Sequence, residues 1–436
     1  MTLIQQYELE KLPEGGRIIS EKLPSVRSIS LGLWIGAGSR YEQPGEGGIS
    51  HFIEHLLFKG SSRYSAVEIA QIFDSFGGEL NAATAREYTV VHARFLDRHL
   101  EEAFDVMADM VLAPSFADID PEREVVVEEI AMYEDSPSEL IADYLTRSIF
   151  GEHPLGKSVL GAADIISNLT AGHIQGYHAG HYTLPNMVVA AAGNVEQAQL
   201  VEMARSRLAG GNGAQPLAET QPAPSVPAGT AHDACFYEKD TQQYHVCLGG
   251  LGLSRHSDRR FALSILDSIL GSAASSRLFQ EVREKRGLAY SVYSYSTLYS
   301  DTGLVGVYFG CRAESVAEVT AIAAGQLESL MSTPVGADEL ERAKESAKGR
   351  VVLGMETTHS RMSRLGKLSV TNSEILDIDE IIERIDEVSA GDIMELAQEF
   401  YQPEKLTAVA IGPDSVIFEK ALASLGGRRQ LLLKPA

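Results

Sequence analysis

Cysteine is scarce in this chain. The three present in 436 residues, Cys235, Cys247 and Cys311, are odd in number and show no Cys-x-x-Cys pairing. That excludes a disulfide framework and a cysteine metal knuckle, and it reads as small buried hydrophobes of a reducing compartment, with the cytoplasm as the expected location. Long apolar runs are missing as well. The nearest, Met187 to Gly193, suits a buried strand and falls far short of the roughly 18 residues a membrane helix needs. Cations are in deficit, 37 Lys and Arg against 60 Asp and Glu, for a formal charge of -23. Such a balance disfavours nucleic acid, whose phosphates it repels, and suits basic or extended peptides as partners. The N-terminus lacks a basic start and a continuous apolar block, so neither a secretory signal nor an Arg-rich transit peptide is expected. The rest is ordinary for a globular chain, 44% hydrophobic and 22% charged, with length for two or three domains.

Proline and glycine concentrate at one place. Residues 209–230 carry four prolines within a Gly- and Ala-rich stretch, which precludes regular structure and marks a connector between residues 1–208 and 231–436. The two halves share a layout. Each opens with an apolar strand of small residues, Ile29 to Gly36 and Tyr244 to Gly250. Each continues into a helix, Ile49 to Phe58 and Phe261 to Leu270, and closes on a strand entering a glycine turn, Met187 to Asn194 and Leu406 to Pro413. Two related domains would look this way, and so would coincidence among short apolar strands. Helical stretches at Leu100 to Leu112, Pro121 to Phe150 and Ala337 to Leu353, mixed with hairpin-like strand pairs, argue for the α+β class.

The chemistry concentrates in Ile49-Ser50-His51-Phe52-Ile53-Glu54-His55-Leu56. Ile49, Phe52, Ile53 and Leu56 fall at helical spacing and form an apolar stripe. His51, Glu54 and His55 project from one turn of the remaining surface. Two imidazoles there can grip one metal ion, and the carboxylate beside them can take a proton from water. The order His-x-x-Glu-His is the inverzincin arrangement. The helix from Phe261 to Leu270 has neither His nor Glu, so one metal per chain is expected. His92, His99 and His153 lack ligand-like spacing.

A catalytic zinc takes three protein ligands, and the third is sought in Asp120-Pro121-Glu122 through Glu128-Glu129. Asp120 reads as an N-cap and Pro121 as the first helical residue. Glu122 and Glu129 share a face about 10 Å apart, so one is a ligand and the other a supporting carboxylate; Glu128 turns about 100° away, toward solvent. Spacing alone leaves the choice open. Two further stretches stand out: Phe76-Gly77-Gly78-Glu79-Leu80-Asn81-Ala82-Ala83-Thr84, a glycine turn and a strand of small residues suited to β-augmentation, and Arg283-Glu284-Lys285-Arg286-Gly287-Leu288-Ala289-Tyr290.

Together these motifs resemble the pitrilysin/insulinase (M16) family of zinc peptidases, especially the branch of mitochondrial processing peptidase and its bacterial relatives. The resemblance implies two related α/β-roll-like domains, each a mainly antiparallel sheet with helices on one face, forming a clamshell cleft. It implies His51, His55 and Glu129 as ligands of one Zn2+, Glu54 as general base and Glu122 as supporting carboxylate. Asn81 and Ala82 would pair with the substrate, while Arg283 and Tyr290 would hold it near the scissile carbonyl, where a Tyr hydroxyl can stabilise an oxyanion. The implied activity is endopeptidase cleavage of extended peptides or unfolded segments. One chain carries every part, which favours a self-sufficient enzyme or a homodimer. The different-class alternative is a non-catalytic core-type subunit of the same fold; the intact His51/Glu54/His55 set argues against it.

Overall fold

Two six-stranded mixed sheets organise the chain in the computed structural model, which describes residues 7–208, 234–426 and 429–435. The connector expected at 209–230 and the first six residues of the N-terminal stretch lie outside the described residues. The first sheet contains β1 (Tyr7–Lys11), β2 (Arg17–Lys22), β3 (Ser28–Ile35), β4 (Glu79–Thr84), β5 (Thr89–Leu96) and β6 (Met187–Gly193). Their spatial order is β1-β2-β6-β3-β5-β4, antiparallel except where β2 meets β6. The second contains β7 (Ala234–Glu238), β8 (Tyr244–Gly252), β9 (Ala289–Leu298), β10 (Gly303–Cys311), β11 (Thr407–Gly412) and β12 (Leu431–Pro435), in the order β12-β7-β11-β8-β10-β9. Taken from β2 and from β7, the strands of the two sheets follow the same sequence-to-space order. The internal repeat is therefore real at the level of topology, and the fold is α+β.

The edge strands differ. β1 comes from before the first repeat and runs antiparallel to β2, whereas β12 comes from after the second and runs parallel to β7.

Compact units do not follow the chain linearly. The first gathers Met1–Met132, Lys157–Ser225 and Val352–Ile378, the second Tyr133–Gly156, Val226–Val351 and Asp379–Ala436. Boundaries drawn at 208 and 231 do not anticipate this exchange. In the first unit α1 (Ile49–Leu57), α2 (Ala66–Phe76), α3 (Leu100–Leu112) and α4 (Ile119–Glu134) cover one sheet face with the main core. The opposite face, with Ile19, Trp34, Val90 and Val188, is covered by Met362, Leu365 and Val370 of the helix Thr358–Val370. In the second unit α5 (Pro137–Phe150) supplies Leu140, Ile141, Leu145 and Ile149 to the corresponding face. Helices thus lie on both faces of each sheet, one of them donated from the other half of the chain.

Two local expectations need correction. The helix expected over Pro121 to Phe150 is two helices, α4 and α5, because Pro137 cannot donate to a helical ladder and starts a new one. α4 also starts at Ile119, so Asp120 and Pro121 sit inside its first turn, where a missing N–H costs no hydrogen bond. Cys235, Cys247 and Cys311 are buried free thiols, as expected. No helix among the described residues is long and apolar enough to cross a membrane.

Candidate active site

α1 is anchored from both ends of its logic. Ile49, Phe52, Ile53 and Leu56 are fully buried, which turns the opposite side toward α4. Its start has no ordinary side-chain cap; Gly48 occupies the left-handed region at φ 92°, and a Cβ there would lie 2.5 Å from the Leu160 carbonyl oxygen. The orphan amides are met instead by Glu42, which accepts from Gly48 N–H at 2.9 Å and Ser50 N–H at 3.0 Å. Burial pushes the Glu42 carboxyl up to about 7, against the pull of those two amides.

On the turned side His51, His55 and Glu129 converge. Glu129 Oε2 lies 3.2 Å from His55 Nε2 and 3.7 Å from His51 Nε2, and one ligand atom from each of the three falls within 4.8 Å of the others. Donors about 2.1 Å from an ion at tetrahedral angles stand about 3.4 Å apart, so the spacing suits one small divalent cation. Two imidazoles and a carboxylate are also a donor set that catalytic zinc takes. Burial, with the neighbouring His55, lowers the His51 imidazole to about 4, so it is neutral at physiological pH, as a ligand must be. The residues fit a zinc ion.

The other carboxylate plays a different part. Glu122 Oε1 accepts from His55 Nδ1 at 2.9 Å, which leaves Nε2 free on the Glu129 side. The second Glu122 oxygen meets Lys59 Nζ at 2.6 Å. Lys59, one turn beyond His55, thus offsets a carboxylate that is nearly buried. Seven residues apart on one face of α4, Glu122 and Glu129 reach Nδ1 and Nε2 of the same His55 ring, an arrangement that spacing alone left open; Glu128 is exposed. Glu54 turns instead toward β4, where Thr84 Oγ1 donates to its Oε2 at 2.5 Å. Burial raises the Glu54 carboxyl above its ordinary range, opposed by the Thr84 bond and by His55.

Asn81 and Ala82 lie on β4, the sheet's edge. Ala82 packs on the main core, while Asn81 is exposed and bonds the Ala82 amide through its own Oδ1. A groove of about 850 Å³ beside this edge is lined by Phe58, Phe73, Leu80, Asn81, His92 and His359, among others. Arg283 and Tyr290 belong to the second unit. There the Arg283 guanidinium stands 4.4 Å from the Tyr290 ring centroid, 4.8 Å from that of Phe279, and 3.3 Å from the Tyr290 carbonyl. The two side chains contact each other, and Tyr290 is largely exposed.

Lys59, Thr84 and Glu42 were not singled out by sequence reasoning. The i+4 step from His55 could have flagged Lys59; nothing local marks the other two.

Residues 17–163 match the model of the insulinase family, peptidase family M16, and residues 168–347 match the M16 inactive-domain model. A Streptomyces coelicolor protein described as an uncharacterized zinc protease is 42% identical over 89% of this chain and 86% of its own length. A Bacillus subtilis uncharacterized zinc protease, YmxG, is 37% identical over 93% and 98%. Among solved structures, a Helicobacter pylori protease superposes with a TM-score of 0.87 at 22% identity, covering 94% of this chain and all of that one. The chain belongs to the M16 family of peptidases.

Proposed function

We propose that this protein is a zinc-dependent endopeptidase acting on extended peptides or unfolded segments. The observation that carries the reading is the convergence of His51, His55 and Glu129 beside a separately held Glu54. Zinc bound by the three supplies a positive charge that polarises a peptide carbonyl and makes water easier to deprotonate. Glu54, which faces β4 and stays outside the ligand set, accepts the proton from water and passes it to the leaving amine nitrogen. Glu122 holds the His55 ring in the tautomer that ligates through Nε2. Substrate adds to the open edge of β4 by main-chain pairing along Asn81 and Ala82, with side chains entering the neighbouring groove. Arg283 and Tyr290, already stacked on each other, are assigned to substrate binding.

The name zinc protease borne by the relatives supports this reading. The M16 inactive-domain match, residues 168–347, includes the stretch Phe261 to Leu270, which carries neither His nor Glu. The alternative of a non-catalytic core-type subunit is tested in the same assay. Quenched fluorogenic peptides should be cleaved, a chelator should stop cleavage and added zinc restore it. Glu54→Gln should keep the metal and lose turnover. A protein that binds zinc and cleaves no peptide in a broad library is the subunit.

A further inference from the structure

The catalytic carboxylate is held by two elements at once. Its backbone belongs to α1, while its Oε2 accepts from the Thr84 hydroxyl at 2.5 Å and the Thr84 backbone adds a second hydrogen bond. Thr84 is the last residue of β4, two positions after Ala82 and on the same side of the strand. The turn that follows is tied down in turn. Ser39 N–H donates to the Ala85 carbonyl and Arg40 N–H to the Arg86 carbonyl, and the buried Arg40 guanidinium pairs with Glu87 at 2.7 Å. Two residues later Glu42 caps α1. One short segment therefore locks the end of β4 to the start of α1.

A glutamate side chain has three rotatable bonds, and a proton acceptor works only where one oxygen points at the reacting water. The Thr84 hydroxyl fixes the place of Oε2 and with it restricts the rotation of the whole carboxylate. We propose that Thr84 is a positioning residue that holds Glu54 in this orientation and references it to the strand on which the substrate pairs. This rests on the assignment of Glu54 as proton acceptor. It explains why a threonine ends a strand otherwise built of Asn and Ala at its centre: the hydroxyl serves the carboxylate, while the backbone of the same strand serves the peptide.

The test uses the full-length protein. Thr84→Val keeps the side-chain shape and strand preference and deletes the hydroxyl; Thr84→Ala deletes it without crowding; Thr84→Ser returns it. On a quenched peptide, valine and alanine should lower kcat about 10- to 100-fold, the cost typical of an outer-shell partner. KM and zinc content should stay within about twofold of the parent, because main-chain pairing and ligands are untouched. Serine should restore most of kcat. A second readout needs no metal and no turnover: in zinc-free protein labelled at the glutamate carboxyl carbon, the NMR signal lost in Glu54→Gln identifies Glu54. It should move in Thr84→Val and stay in Thr84→Ser. An unmoved signal, a kcat equal to the parent's, or equal losses for valine and serine would each overturn the proposal. If Glu54→Gln stays fully active while the signal does move, the base assignment has failed and the hydrogen bond has not.

Discussion

Lys59 carries no ligand and touches no metal donor, yet it stands at the end of a relay from Nζ through Glu122 to His55. Lys59→Met preserves the stem and removes the charge. It should weaken zinc binding about 10-fold or more, the range for losing a group that orients a ligating histidine, as measured by chelator competition. Glu42 offers a pH dependence with a definite sign. Its carboxyl sits at about 7 in the folded protein against an ordinary 4.5, so the folded state holds the proton more tightly than the unfolded one. That contribution is fully present below 4.5 and is lost as pH rises through about 7. Glu42→Gln does not titrate. The stability of the parent relative to this variant should therefore fall between about pH 5 and pH 7, by at most about 1.4 kcal/mol per pH unit. Urea unfolding across that range measures it, and a difference that grows with pH refutes the burial argument.

The helix Thr358–Val370 shows how an element can be decided by its partner. Gly366 lies against the Trp34 indole, where an added Cβ would meet Nε1 at 2.0 Å. Gly to Ala in a helix interior gains about 1 kcal/mol from propensity, whereas overpacking a core costs about 1–3 kcal/mol. The steric term should win, so Gly366→Ala is expected to destabilise. Leu365 is fully buried beside it, and Leu365→Ala should cost about 2–5 kcal/mol. Trp34 is the chain's single tryptophan, so its emission reports both changes. A stabilised Gly366→Ala variant would mean that this helix is seated elsewhere.

Across the whole molecule, charge and ligand act together. A net charge of -23 should favour encounter with basic peptides, an effect that salt screens over a Debye length of about 10 Å at 0.1 M. For a Lys- and Arg-rich peptide kcat/KM should fall as salt rises, with little change for a neutral one of equal length. Zinc that binds only the folded chain adds about 2.7 kcal/mol at one hundred times its dissociation constant. The melting temperature should rise with zinc in the parent and stay flat in His51→Ala. A rise of equal size in that variant would remove His51 from the ligand set.

Local spacing was enough for the apolar stripe and the polar turn of α1, since Ile49 through Leu56 obey one helical period and burial follows from it. The α+β class and the shared strand layout were also legible, because each strand is a short run of small or branched residues. What the chain order could not convey was which distant groups would meet. Glu122 and Glu129 have the same periodicity, and only packing of α4 against α1 sets one at each nitrogen of His55. Thr84 reaches Glu54 because β4 ends beside α1, and no pattern within β4 records that. The exchange of α5 and the helix Thr358–Val370 is likewise tertiary. Each is amphipathic in sequence, and amphipathicity says that a face will be covered without saying by which sheet.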